Sequence, residues 1–186
     1  FISLLLLSIF TITLINGLFL EKYYVSKKVE VLEEAKEVLS QMNLDDILQY
    51  DTDIEEDKKG ATDEISDEIE RSSSRNNLTW IIVNEENSGY YYWGENNMAK
   101  MLRSKLFGYI NNLDQDMQHS RVLKKTDTCT MWQVHDRFAG MEYVECWGQF
   151  DNGYYFLIRS PLESIKESAS ISNSFYFIVG IIIIVI

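Results

Sequence analysis

Residues 129–160 read CTMWQVHDRFAGMEYVECWGQFDNGYYFLIRS, and the fold turns on this stretch. Three runs, at 128–136, 141–150 and 153–160, are rich in Trp, Tyr, Val, Phe and Thr, which suit a pleated, half-buried surface. DRFAG and DNG separate them. Asp151-Asn152-Gly153 is a strong hairpin signal, because Asn and Gly accept the positive φ that tight turns require. Strands joined by turns this short are predicted to pair as an antiparallel meander.

Working upstream, LTWIIV (78–83) and YYYWG (90–94) flank the turn NEENSG (84–89) and form a second hairpin. Residues 95–117 return to a helical period, with Met98, Met101, Leu102, Leu106, Tyr109, Ile110, Leu113 and Met117 on one side. A shorter helix is predicted at 62–72, with Thr62 as its N-cap, Asp63 and Glu64 on its first turn, Ile65 and Ile69 inward, and SSSRNN as the turn after it. In EKYYVSKKVEVLEEAKEVLSQM, Val25, Val29, Leu32 and Leu39 lie beside Val31, Ala35, Val38 and Met42 as two adjacent stripes of one amphipathic helix. No Gly or Pro interrupts 18–59. Helix, two strands, helix and three strands give an α+β domain with a five-stranded antiparallel sheet and a long N-terminal helix.

Both ends are apolar. Residues 1–20, FISLLLLSIFTITLINGLFL, carry no charge and match the length of one membrane-spanning helix. The exit LFLEKYY has no small-x-small cleavage site, which argues for an anchor over a signal peptide. Residues 173–186 begin a second uncharged run that would start a crossing. Between Ser160-Pro161 and this run, Leu162, Ile165, Ala169, Ser172, Tyr176, Val179 and Ile183 follow steps of three and four. The expected organisation is a first transmembrane helix at 1–20, a central domain at 21–160, a helix at 161–172 whose continuous seam suits signal transfer, and the start of a second transmembrane helix at 173–186.

The chain has 29 acidic and 17 basic residues, a formal net charge of −12. No cluster of Lys and Arg offers a nucleic acid its phosphate contacts, so no nucleic-acid partner is expected. The acid is concentrated at 45–70, which holds 12 Asp and Glu against 2 Lys. Such a run is ordinarily a solvated insert. The sharper reading makes Asp51, Asp53, Glu55, Glu56 and Asp57 a cation-sensing set, for divalent metal or cationic peptide. A dedicated calcium loop is disfavoured, since Glu56 stands where the loop needs Gly and Thr62 where it needs Glu.

The aromatics of the sheet, Tyr91, Trp93, Trp132, Tyr143, Trp147 and Tyr155, are ordinarily core. Of these, Tyr91, Trp93, Trp132 and Tyr143 are the candidate set for a small organic ligand. No phosphate loop, HExxH or CxxC occurs, so no catalytic residue, metal site or cofactor is expected within these residues. His135 beside Asp136 reads as a surface histidine in a turn.

The long helix leaving the first apolar run, the αββαβββ core and RSPLESIKESASISN at 159–173 resemble the N-terminal part of a bacterial two-pass transmembrane sensor histidine kinase. The resemblance implies a PAS-like (single Cache or PDC) sensor domain outside the cell membrane, between two crossings. It implies a homodimer that senses an unknown extracellular small molecule, cation or peptide. An ATP- and Mg-dependent protein-histidine kinase and its cognate response regulator would then lie downstream, outside this sequence. A chemoreceptor or diguanylate cyclase input, or a non-catalytic membrane-anchored interaction protein, are the alternatives.

The two cysteines depend on register. If a four-residue loop, Asp136 to Ala139, joins the strands so that His135 faces Gly140, then Cys129 falls opposite Cys146 and within disulfide reach. Disulfide and buried free thiols both remain open at this point, because a slip of one residue sends the thiols to opposite faces.

Overall fold

The structure, a computed structural model, describes residues 2–42, 64–84, 89–94, 98–113, 120–162, 174–176, 178–179 and 181. Its elements are α1 (Ile2–Ser40), α2 (Glu64–Asn76), β1 (Thr79–Val83), β2 (Tyr90–Trp93), α3 (Ala99–Ile110), β3 (Arg121–Lys125), β4 (Cys129–Asp136), β5 (Met141–Gln149) and β6 (Tyr155–Pro161). The chain divides into two compact units, Val29–Pro161 and Phe1–Lys28 with Leu162–Ile186.

The sheet in Val29–Pro161 has six strands, not five, in the order β2-β1-β6-β5-β4-β3. All pairings are antiparallel. The additional strand is RVLKK, whose exposed positions hide the alternation by which strands are read. Arg and Lys on an edge strand also discourage pairing with another chain. The central strands are buried on both faces, which is why EYVECW and FLIRSP read as nearly continuous runs.

Register assigns every side chain to a face. Trp132, Val134 and Asp136 share one face with Tyr143, Glu145 and Trp147, with Leu157 and Arg159, and with Ile81 and Val83. Leu102, Leu106 and Tyr109 of α3 pack on that face to form the main core. The opposite face carries Cys129, Met131, Val144, Cys146, Phe156, Ile158, Trp80 and Ile82. Glu33 of α1 reaches Lys124 of β3 on this side, and Trp80 Nε1 donates to Ser73 Oγ of α2 at 2.9 Å.

Several boundaries moved for identifiable reasons. SSSRNN is not a turn: α2 runs on to Asn76 and ends at Asn77, whose φ is +53°. Leu78 N–H then donates to Ser73 C=O at 2.9 Å, closing the helix by a left-handed cap. Thr62 and Asp63 lie outside the described residues. Pro161 ends β6 opposite Tyr143 and does not open a helix. Most of the expected signalling helix falls at 163–173, again outside the described residues.

The expectation of flanking transmembrane helices is overturned. Among the described residues, no helix is long and apolar enough to cross a membrane. In α1 the stretch from Glu21 onward is the charged amphipathic part, and at 174–181 only short helical pieces are described. The multi-pass membrane location falls with it.

Candidate functional site

Four charged side chains are buried where α3 meets the sheet: Lys105 at 8% exposure, Asp136 and Arg159 at 1%, and Glu145 at 0%. Two cations and two anions balance. Lys105 comes from α3, where Leu102, Leu106 and Tyr109 share its buried face. Asp136 is the last residue of β4, and Glu145 and Arg159 are direct partners across β5 and β6.

Lys105 Nζ lies 3.1 Å from Asp136 Oδ2 and 3.0 Å from Glu145 Oε1, bridging the two carboxylates. Arg159 Nη1 donates to the same Asp136 oxygen at 2.9 Å. The other oxygen of Asp136 accepts from the backbone N–H of Phe138 and Ala139, at 2.9 and 3.1 Å. Tyr109 Oη donates to Glu145 Oε2 at 2.5 Å. The Arg159 guanidinium stacks over the Tyr143 ring at 4.3 Å from its centroid. Tyr109, Trp132 and Trp147 wall the site, with ring centroids 4.7 Å apart for Tyr109–Trp132 and 5.9 Å for Trp132–Trp147.

The electrostatics follow from burial set against pairing. Burial alone would lower the Lys105 ammonium, but Glu145 and Asp136 outweigh it and hold the pKa above its ordinary value. Burial would likewise raise the Asp136 carboxyl, and Lys105, the Ala139 N–H and Arg159 bring it below the usual carboxylate range. Burial pushes the Tyr143 phenol up. Three buried donors among the described residues have no acceptor: Trp132 Nε1, Trp147 Nε1 and Arg159 Nε. Buried donors are rarely left so, and each such group raises the question of a missing partner.

The candidate ligand set from the sequence is divided by the sheet. Trp132 and Tyr143 lie on the α3 face beside the charged residues, and Trp147 and Tyr155 share that face. Tyr91 pairs with Ile82 and Trp93 with Trp80, which puts both on the opposite face. There Tyr91 packs on Trp80 with ring centroids 5.1 Å apart. Asp51, Asp53, Glu55, Glu56 and Asp57 lie outside the described residues. His135 is exposed, on the face away from Asp136.

The expected cysteine register is also corrected. The β4–β5 loop is Arg137–Gly140, one residue later than expected, so Asp136 faces Met141 and Cys129 faces Gly148, while Cys146 faces Met131. Asp136 drives the shift. Its C=O accepts from Gly140 N–H at 2.8 Å, its carboxylate holds the loop, and Gly140 supplies the positive φ of +68°. Cys129 and Cys146 are buried free thiols, diagonal neighbours on the face opposite the charge network.

No family model, no curated protein and no solved structure matches this chain.

The network contains three charged residues that periodicity and motif do not single out, Lys105, Glu145 and Arg159, and it turns Tyr109 of the apolar helical stripe into a hydrogen-bond donor. Their signal was present. Lys105 interrupts an apolar helical stripe, and Glu145 and Arg159 interrupt apolar strand runs. A charge at a core position is seldom buried unless it is paired.

Proposed function

We propose that this chain is the signal-input part of a sensor histidine kinase, and that the network beneath α3 is its sensing site. One observation carries the reading. A charge-balanced set of four buried ionic groups sits at a helix–sheet seam, and three buried N–H donors on that face, Arg159 Nε among them, make no hydrogen bond among the described residues. Apolar residues of similar volume often hold such a seam equally well, so a buried ionic set is weak evidence of a purely stabilising role. A small organic ligand with acceptor atoms, such as a carboxylate, would satisfy those donors and compete with Asp136 and Glu145 for Arg159 and Lys105.

The consequence of binding is mechanical. Arg159 lies near the end of β6, two residues before Pro161 and the segment that follows. A ligand that exchanges the Arg159–Asp136 contact changes the restraint on β6, and β6 leads along the chain toward the output. The kinase half, with its ATP, Mg and response regulator, belongs to the proposal through the resemblance at 159–173.

The test has two arms. Thermal unfolding of the whole chain is measured against monocarboxylates, dicarboxylates and free amino acids, with Arg159→Lys as the control. The chain is also joined to the catalytic half of a sensor histidine kinase, and ATP-dependent histidine phosphorylation is followed with and without each compound. A saturable rise in Tm that Arg159→Lys abolishes, with a matching change in phosphorylation, is expected. Stability and phosphorylation that are indifferent to every compound would overturn the proposal.

A further inference from the structure

We propose that Cys129 and Cys146 are a thiol–disulfide pair oxidised by low-molecular-weight disulfides, with Cys129 as the attacking sulfur and Cys146 as the resolving one. This inference is independent of the sensing site, because the two cysteines occupy the other face of the sheet.

Geometry brings the thiols together. Cys129 opens β4 directly across from Gly148, and Cys146 stands two residues before Gly148 on β5. A Cβ at Gly148 would lie 2.1 Å from the Thr128 carbonyl oxygen and 3.0 Å from Cys129 Cβ. The missing side chain is what lets the start of β4 close onto β5, where Cys129 and Cys146 stand on the same face at diagonal positions. Thr126 holds the other side: its Oγ1 lies 3.2 Å from Cys129 Sγ and accepts from Cys129 N–H at 3.1 Å. The exposed turn Thr126–Thr128 leads into Cys129, which keeps 6% exposure where Cys146 keeps none.

The two thiols are chemically unequal. Cys146 donates its S–H to Cys129, and this, with the Thr126 hydroxyl and the positive charge of Lys36, overcomes burial and lowers Cys129 to about 6. Cys146, more deeply buried and beside that developing charge, is pushed well above the ordinary thiol range. The charged groups around the pair are Lys36 and Glu33 of α1 and Lys124 of β3. A thiolate on one sulfur and a proton on the other is the division of roles that disulfide exchange requires.

The reaction balances without further components. Cys129 thiolate attacks one sulfur of RS–SR, forms Cys129–S–SR and expels RS⁻. Cys146 loses its proton, attacks Cys129 Sγ and expels the second RS⁻, leaving the Cys129–Cys146 disulfide. The two cysteines are oxidised by two electrons, RS–SR is reduced, and protons from the cysteines and solvent convert the product to two RSH.

Diagonal residues on paired strands lie about 7–8 Å apart, with their Cβ atoms somewhat closer, whereas a disulfide needs Cβ atoms about 3.5–4.5 Å apart. Oxidation therefore draws the start of β4 along β5, beside α1 and the β3 edge. A bond that must hold such a displacement is readily reduced, which makes the pair reversible and not a structural staple.

The experiment uses the whole chain and oxidised glutathione. Folded protein is equilibrated in a glutathione redox series, quenched, alkylated and mapped by mass spectrometry, with circular dichroism confirming the fold of each variant. Wild type is expected to give an intramolecular disulfide that excess reduced glutathione reverses. Cys146→Ala, or Cys146→Ser should the first fail to fold, is expected to stop at the Cys129–glutathione adduct. In Cys129→Ala, Cys146 is expected to stay unmodified. Native alkylation of Cys129 should show its midpoint near pH 6, and Cys146→Ala should move it upward by removing the largest cause of the shift. Recovery of both thiols fully alkylated at the most oxidising ratio would overturn the proposal. A disulfide found only between two chains, or a Cys146→Ala protein without adduct, would overturn it equally.

Discussion

Replacing Lys105 by Met tests whether the buried network is one electrostatic unit. The Met side chain fills most of the lysine stem, so the change removes charge with little loss of volume. Asp136 keeps Arg159 and two loop N–H donors. Glu145 keeps the Tyr109 hydroxyl but loses its cation at 3.0 Å, and it is fully buried. Stranding one member of a buried pair costs about 3–5 kcal/mol. That is a large share of the roughly 5–15 kcal/mol that holds a domain folded. For a chain of this size it corresponds to a Tm lower by about 6–20 °C. The rescue is more decisive than the loss. Glu145→Gln added to Lys105→Met leaves Arg159 with Asp136, restores the charge balance and keeps an acceptor for Tyr109. The double variant should recover at least half of the deficit, a coupling of about 1.5 kcal/mol or more. Urea unfolding at neutral pH, followed by fluorescence of Trp132 and Trp147 beside the site, measures all four corners of the cycle. A single-variant loss below about 1 kcal/mol, or a double variant no more stable than Lys105→Met, would refute the assignment.

Two further predictions concern the β4–β5 pair. Asp136 has a depressed folded pKa, so its contribution is present above the unfolded carboxyl pKa of about 3.9 and is lost as pH falls through the folded value. Asp136→Asn should therefore destabilise the chain at neutral pH, with the gap to wild type narrowing below about pH 4; urea midpoints that differ equally at both pH values would contradict this. Gly148→Ala places a methyl 2.1 Å from the Thr128 carbonyl and 2.9 Å from Cys129 Cα, both backbone atoms that cannot rotate away. It should cost about 1–3 kcal/mol by thermal unfolding and slow native alkylation of Cys129, and an unchanged Tm would exclude the close approach.

The sequence by itself determined the local order of this chain. Residue type and period placed the hairpin at 78–94, the helix on Leu102, Leu106 and Tyr109, and the meander at 129–160, because strand and helix periods are properties of consecutive residues. It also marked Asp151-Asn152-Gly153 as a turn. Distances between elements were beyond it. Tyr91 and Trp132 looked alike as sheet aromatics, and only the pairings of β1 with β2 and of β4 with β5 put them on opposite faces. The cysteine register moved because Asp136 bonds the loop backbone while meeting Lys105 and Arg159, contacts separated by 31 and 23 residues. The edge strand RVLKK was illegible because a strand exposed at most of its positions carries no alternation, and only its partner β4 makes it a strand. The charge network was hidden for the related reason that an isolated Lys, Glu or Arg in an apolar run reads as an exception. Packing α3 on the sheet makes those exceptions complementary, since ions leave water together or not at all.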